Sequence, residues 1–213
     1  MTIILDEEKN IIQLIMVGKS LDENAIEVGD IELSIVRNIF DYKYIDGEFI
    51  LKDTAYSERL EKLKQAKIKT MSQICNEEII KGVTYGGERY SLTLDDQTNI
   101  SNLTILAVQG NSVPYHADGR GANCKIFTAE EFTQFSSYCQ QFKIYHLTYF
   151  NQLKGYINSL TNTEDILSVN YGDKLTGDYA TALATLTNNF QYNMPVIQDK
   201  NDYTDTLIDI DEF

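Results

Sequence analysis

The chain has 213 residues and a net charge of −14, with 43% hydrophobic and 11% aromatic residues. These contents are typical of globular proteins and exclude general disorder. The negative charge argues against nucleic-acid binding, which needs clustered Lys and Arg side chains. The sequence contains no apolar run as long as a membrane span.

The cysteines and the first residues indicate where the chain is made. Cys75, Cys124 and Cys139 form no CxxC pair and are too scattered for a disulfide framework, which favours a reducing compartment. Ile11–Val17 is apolar but short, and acidic residues precede it where a secretory signal would be basic. We therefore expect a cytoplasmic protein that is not bound to a membrane.

The charge is distributed unevenly and divides the chain into three predicted domains. Residues 1–52 carry 11 acidic and 5 basic groups, residues 53–160 carry 11 of each, and residues 161–213 carry 10 and 2. Such shifts in composition are typical of domain boundaries. The fold class predicted from the elements below is α+β. It consists of a small N-terminal antiparallel β domain, a helical domain with two β-hairpins, and a helical then extended acidic C-terminal arm.

Short runs of β-branched residues in the first domain predict strands. The predicted strands are Thr2–Leu5, Ile11–Val17, Ile26–Val28 and Ile31–Ile35. The polar loop between the first two fits a hairpin, and Asp46-Gly47 predicts a second hairpin within Phe40–Ile50.

Four aromatic residues accompany that second hairpin, namely Phe40, Tyr42, Tyr44 and Phe49. They could form a binding patch. The alternative, which we favour, is that they pack on a small sheet that needs bulky side chains to bury enough area.

Residues Asp53 to Lys81 predict a long helix, because apolar residues recur at spacings of three and four and Gly82 follows as a left-handed stop. Its first half carries five basic residues: Arg59, Lys62, Lys64, Lys67 and Lys69. These form either a face that docks an acidic partner or a solvated helix face, and we favour the solvated face.

The remainder of the central domain alternates hairpins and helices. Val83 to Leu94 predicts a hairpin turning at Gly86-Gly87, followed by a helix that Asp95 or Asp96 caps and that stops at Gly110. Val113 to Phe127 predicts a second hairpin around Asp118 to Gly121. Thr128 and Glu131 form a capping box that opens the longest helix, whose apolar stripe reaches Ile157. Gly155 lies inside that helix and costs about 1 kcal/mol of helix stability relative to Ala, unless a partner backbone packs there.

The sequence of the third domain predicts two short helices and an acidic arm. The helices start at Thr163 and Gly177, and the arm follows Pro195. Large apolar residues recur among the acids of the arm: Tyr203, Leu207, Ile208, Ile210 and Phe213. Either this arm is a frayed tail or its apolar residues dock on a neighbouring chain.

The sequence offers no convincing catalytic, cofactor or metal site. Cys139 and His146 are seven residues apart on one predicted helix, about 10 Å along its axis, which is too far for a thiolate–imidazole pair. The glycine pairs lack the spacing of phosphate-binding loops, and no cysteine and histidine spacing indicates zinc. We predict a non-enzymatic protein without cofactors.

Three segments carry a resemblance to a known family. They are Cys75–Gly82, Tyr85-Gly-Gly-Glu-Arg-Tyr90 and Asp95–Ile100, and Phe127–Phe132 and Tyr149–Ile157 fit the same pattern. This block, about residues 58–160, resembles a domain of unknown function common in tail proteins of bacteriophages and prophages. That family often carries an aromatic residue, commonly Trp, in the second hairpin, where this chain offers Tyr115 or Phe127.

The resemblance implies a component of a phage tail or phage-tail-like particle, associated with the baseplate or the tail fibre. The alternative is a tail-fibre assembly chaperone, and a weaker alternative is a cell-wall hydrolase. Both main hypotheses place the chain in the host cytoplasm during assembly and then in the particle tail. The expected partners are fibre or baseplate proteins. A homo-oligomer is a further option. The family supplies no catalytic residues.

The candidate partner-binding residues come from the N-terminal aromatics, the hairpin tips and the acidic arm. They are Phe40, Tyr42, Tyr44, Tyr115, Arg120, Tyr203, Leu207, Ile208 and Phe213.

Overall fold

The computed structural model describes residues 1–18, 20–119 and 123–190. These residues form two compact units, the first being Met1–Leu63 and the second beginning at Lys64. Small antiparallel sheets near the N-terminus are followed by helices, which confirms the α+β class. The predicted extended arm after Pro195 lies outside the described residues. The domain limits predicted at residues 52/53 and 160/161 stay predictions.

The first unit is built on a three-stranded antiparallel sheet. Its strands are β1 (Thr2–Leu5), β2 (Ile11–Ile15) and β3 (Ala25–Glu27), in the spatial order β2-β1-β3. Ile3 of β1 stands opposite Leu14 of β2 and Ile26 of β3. Alternation along a strand sends every second side chain to one face. Ile3 and Leu5 therefore enter the same apolar core.

The strand predicted at Ile31–Ile35 is wrong, because a short helix, α1 (Leu33–Arg37), begins inside it. The carbonyl of Glu32 accepts hydrogen bonds from the N–H groups of Ile35 and Val36, which start the helical turn. Ile31 and Ile35 still pack against the core. Two residues that are four apart lie on the same face of a strand and also on the same face of a helix. A pattern of only five residues therefore fits either element.

The predicted hairpin at Asp46-Gly47 is confirmed. A 3-10 turn (Ile39–Asp41) leads into β4 (Tyr42–Ile45), which pairs with β5 (Glu48–Leu51). Asp46 and Gly47 have φ angles of 51° and 90°, as a two-residue primed turn requires. The long predicted helix is also confirmed as α2 (Ala55–Lys81), which starts in the first unit and continues into the second.

The second unit contains the predicted series of hairpins and helices. After α2 come β6 (Val83–Tyr85), β7 (Glu88–Tyr90), α3 (Leu94–Val108), β8 (Val113–Tyr115), β9 (Lys125–Phe127), α4 (Ala129–Ser159), α5 (Thr163–Ser168) and α6 (Gly177–Thr187). Each strand pair, β6–β7 and β8–β9, is an antiparallel hairpin. The aromatic side of α4 packs with both hairpins and with α3 in one apolar core.

The helix caps are partly as predicted. Thr128 and Glu131 form the capping box of α4, with Glu131 N donating to Thr128 Oγ1 at 3.2 Å and Thr128 N donating to Glu131 Oε2 at 2.8 Å. The predicted cap of α3 is wrong: Thr93 is the capping residue, and Asp96 occupies the third helical position. Thr93 and Asp96 form a second capping box, so the acidic residue supports the cap from inside the first turn.

Candidate functional site

A cleft of about 640 Å³ opens on the first unit. Its walls combine apolar residues with side chains of both charges. They are Asp6, Glu8, Asn10, Ile11, Ile12, Phe40, Lys43, Lys52, Asp53, Thr54, Glu58 and Lys62. These residues come from the loop between β1 and β2, the start of β2, the 3-10 turn, β4, the loop between β5 and α2, and the first turns of α2. Of the candidate binding residues in the described part of the chain, Phe40 alone lines this cleft.

Phe40 is presented by a firmly held turn. Its neighbour Ile39 is buried in the core of the first unit, whereas Phe40 is 50% exposed. Lys52 Nζ donates to the Phe40 carbonyl at 2.6 Å, and Lys52 N donates to the Asp41 carbonyl at 2.8 Å. The Asp41 carboxylate pairs with the Arg59 guanidinium. These bonds fix the backbone on both sides of Phe40, so its ring projects without losing much freedom on binding.

Hydrogen bonds hold the Asp6 carboxylate of the cleft in its ionised form. Asp6 accepts hydrogen bonds from Glu8 N and Asn10 N, both at 2.9 Å, and from Asn10 Nδ2 at 2.8 Å. The hydrogen bond from the Asn10 side chain is the main reason why the pKa of Asp6 lies below its usual value. A carboxylate that stays charged accepts hydrogen bonds and so orders the turn. It carries no proton to donate, so it does not act as a general acid.

The other three aromatic residues of the Asp46-Gly47 hairpin pack instead of lining the cleft. Tyr42, Tyr44 and Phe49 are partly buried against the core, and the Tyr44 and Phe49 ring centroids are 4.9 Å apart. This supports the packing interpretation for these three residues. Tyr42 and Tyr44 are thereby separated from Phe40, with which the sequence had grouped them.

Tyr115 lies in the core of the second unit. It is 7% exposed, and its ring centroid lies 5.7 Å from that of Phe135 and 6.2 Å from that of Tyr90. Burial also raises the pKa of its phenol. A side chain in this position stabilises the hairpin–helix core, which corrects its assignment to a partner-binding surface. Arg120, Tyr203, Leu207, Ile208 and Phe213 lie outside the described residues.

The basic residues of α2 do not form one solvated or docking face. Arg59 binds Asp41, and Lys64 Nζ donates to the Asn158 carbonyl at 2.9 Å. Lys67 is only 8% exposed and donates to the Leu167 carbonyl at 3.0 Å. Burial lowers the pKa of Lys67. In the sequence, Lys67 lies within the apolar stripe of the helix, and this position indicated that its side chain has a structural role.

The groups considered for nucleophilic chemistry are buried in the second unit. Burial raises the pKa of Cys139 to about 12 and lowers the pKa of His146 to about 4. His146 Nδ1 lies 3.0 Å from the Tyr171 hydroxyl. The thiol is thus protonated and the imidazole neutral at pH 7, which is the reverse of an activated pair. Within the described ranges, no three His, Cys, Asp or Glu residues are grouped to hold a metal ion.

A polar network that the sequence did not reveal joins α4 to the segment after α5. The Tyr149 hydroxyl donates to the Asp173 carbonyl at 2.8 Å and accepts from Gly172 N at 2.9 Å. With the bond between His146 and Tyr171, these contacts fasten residues 171–173 to α4. The partners are 23–25 residues apart in sequence, so no local spacing marks them.

No helix in the described part of the chain is long and apolar enough to cross a membrane. No family model matches the sequence, and neither the curated proteins nor the solved structures contain a match.

Proposed function

We propose that this protein is a non-enzymatic component of a phage tail or phage-tail-like particle that binds a fibre or baseplate protein. The particle assignment depends on the resemblance of residues 58–160 to a tail-protein domain. The binding role depends on one structural observation, the half-exposed Phe40 held at the wall of a cleft. On this proposal the chain is made in the host cytoplasm and then enters the particle tail.

The composition of the cleft fits a segment of another protein. Phe40 and the exposed Ile12 offer apolar contact, while Lys43, Lys62 and Asp53 add charges of both signs to the walls of the cleft. Aromatic anchors supply most of the free energy at protein interfaces, and surrounding charges of both signs set orientation and specificity. A partner segment with one large apolar side chain flanked by charged residues matches this arrangement.

The state of the buried Cys139 and His146 and of the Asp6 carboxylate in the cleft supports binding over catalysis. Cys139 and His146 are packed in protonation states that oppose nucleophilic attack. The Asp6 carboxylate is hydrogen-bonded and ionised. A cell-wall hydrolase would need a carboxylic acid that donates a proton. A cleared zone on peptidoglycan that a single carboxylate substitution abolishes would refute the non-enzymatic proposal.

The binding role can be tested with Phe40→Ala. We expect this change to weaken binding to the proposed fibre or baseplate partner by roughly 2 kcal/mol, about thirtyfold, because it removes the central apolar anchor. Calorimetry on purified partners measures the loss. Leu33→Ala is the matched control, because Leu33 is an exposed apolar residue of the same unit outside the cleft. Equal weakening by both variants would contradict a role for the cleft.

Mass spectrometry of purified particles separates the component from the assembly chaperone. The proposed component is present in the particle at constant stoichiometry. A chain that binds the fibre protein through Phe40 but is missing from finished particles is a chaperone.

A further inference from the structure

The strand β5 is the outer strand of its hairpin and has an open edge. Its neighbour β4 is covered on the other side, where Tyr44 N donates to the Lys9 carbonyl at 3.0 Å and Lys43 bridges Asn10. No other strand of the described residues pairs with β5. Natural edge strands are commonly protected by Lys, Pro or bulges. β5 (Glu48–Leu51) contains neither Lys nor Pro, and its register with β4 is regular.

The ladder between β4 and β5 shows which backbone groups of β5 point outward. Lys52 N donates to the Asp41 carbonyl at 2.8 Å, so these two residues form a hydrogen-bonded pair at the end of the hairpin. Such pairs alternate along an antiparallel ladder with pairs that exchange no hydrogen bonds. Tyr42 and Leu51 are the next pair, so the N–H and C=O of Leu51 point away from β4, and those of Phe49 do the same. Within the described ranges, none of these four groups has a hydrogen-bond partner.

The side chains beside these backbone groups are apolar and accessible. Ile50 is 45% exposed and Leu51 is 53% exposed, and successive side chains of a strand point to opposite faces. An added strand would therefore gain main-chain hydrogen bonds at the edge and apolar contacts on both faces of the sheet. Glu48 is the only charged residue of β5, so most of this edge favours an apolar strand over a charged one.

The open edge continues directly into the cleft, and this continuity selects its occupant. Residues 52–54, which follow β5, line the cleft, as does Lys43, which stands opposite Ile50 in β4. A strand rises about 3.3 Å per residue, so the cleft wall begins within about 7 Å of the end of β5 along the chain. An extended segment that contacts Phe40 in the cleft therefore reaches the edge within a few of its own residues. Two unrelated occupants would compete for residues 52–54, which border both places.

We propose that the partner segment bound in the cleft is extended and adds a strand to β5. The backbone groups of Phe49 and Leu51 hold its main chain, Ile50 and Leu51 contact its apolar side chains, and Phe40 contacts one larger side chain. The segment therefore carries about four proline-free residues of high strand preference, a few residues from the large apolar residue. This inference rests on the proposed function, because it concerns the way in which the same partner binds.

Leu51→Pro and Leu51→Ala form a matched pair that tests the strand addition. Both shorten the side chain, but only proline also removes the outward N–H, and an edge strand tolerates proline where that N–H would face solvent. Calorimetry with the purified fibre or baseplate partner should show at least about tenfold weaker binding for Leu51→Pro than for Leu51→Ala. Urea unfolding of both variants checks that the chain is folded.

The outcomes separate this inference from the proposed function. Equal affinities of the two Leu51 variants, together with weaker binding by Phe40→Ala, overturn the strand addition and leave the cleft as the binding site. If no fibre or baseplate protein binds the wild type, the proposed function fails and the strand addition fails with it.

Amide hydrogen exchange tests the same edge without any substitution. In the free chain, the amides of Phe49 and Leu51 should exchange at least about tenfold faster than those of Glu48 and Ile50, which face β4. Partner binding should slow the two outward amides to the rate of the inward ones. Equal rates in the free chain overturn the open edge, and if all four are slow, a second copy or the chain's own acidic arm already covers it. Unchanged exchange of the outward amides in the complex overturns the strand addition.

Discussion

Two independent structural constraints require glycine at Gly82. It follows α2 with a φ of +81°, in the left-handed region that side chains disfavour. In addition, a Cβ at this position would lie 2.0 Å from the Tyr90 carbonyl oxygen. The sequence predicted the left-handed conformation as a helix stop. The steric constraint arises because β7 lies beside the end of α2.

Gly82→Ala should therefore destabilise the protein by roughly 2–5 kcal/mol, which combines the left-handed conformation with steric overlap. Gly86→Ala is the matched control: Gly86 also has a positive φ, of 58°, but an added Cβ there meets no atom within 4 Å. We expect about 1–2 kcal/mol for the control. Urea unfolding measures both, and equal losses would show that the contact with Tyr90 does not matter.

At the scale of elements, the packing of α6 on α4 depends on a missing side chain. Gly155 lies inside α4, and a Cβ on it would lie 2.8 Å from Cε1 of Tyr179 in α6. The Tyr179 ring also makes an edge contact with Tyr156, with centroids 6.0 Å apart. The loss of helix propensity at Gly155 is thus compensated by close approach of a second helix, although the neighbour is the Tyr179 side chain and not the partner backbone expected from the sequence.

Whether Gly155→Ala destabilises or stabilises the protein should depend on the presence of the Tyr179 side chain. In the wild type we expect net destabilisation of up to about 2 kcal/mol, because overlap with Tyr179 exceeds the helix-propensity gain of about 1 kcal/mol. In a Tyr179→Ala background the same change should stabilise by about 1 kcal/mol, since only the propensity term is left. Thermal unfolding of the four proteins in this cycle measures the coupling. Additive effects would mean that the two residues do not touch.

At the scale of the whole molecule, the buried polar network links stability to pH. His146 is buried beside Tyr171, and burial lowers its pKa from 6.5 to about 4. The unfolded chain therefore binds a proton at this residue before the folded chain does. Stability contributed by neutral His146 is complete above about pH 6.5 and is lost as the pH falls towards 4.

Wild-type protein should lose up to about 3 kcal/mol from this residue between pH 7 and pH 4, in addition to losses from carboxylates. His146→Asn keeps a hydrogen-bonding side chain but cannot be protonated, so its stability should depend less on pH over that range. The readout is the urea midpoint at several pH values. His116→Asn replaces an exposed histidine and serves as the control. A His146→Asn profile parallel to the wild type would contradict the assignment.

The candidate site was predictable only in part. From the sequence, Phe40 was grouped with Tyr42 and Tyr44, either as a binding patch or as packing residues. The structure separates them, because Phe40 lies in the 3-10 turn before β4 and the tyrosines lie in the strand itself. The acidic and basic residues of the cleft come from four segments spread over residues 6–62, so no local pattern joined them.

The sequence by itself determined the hairpins at Asp46-Gly47 and Gly86-Gly87, the capping box at Thr128 and the long helices. Each of these depends on backbone preferences and hydrogen bonds within a few residues. Only the tertiary structure decided that Lys67 and Tyr115 are buried, that Leu33–Arg37 is helical and that Phe40 lines a cleft. Those outcomes depend on which distant segments pack together. Burial against such segments contributes more free energy than the weak local preferences that a short stretch of sequence expresses.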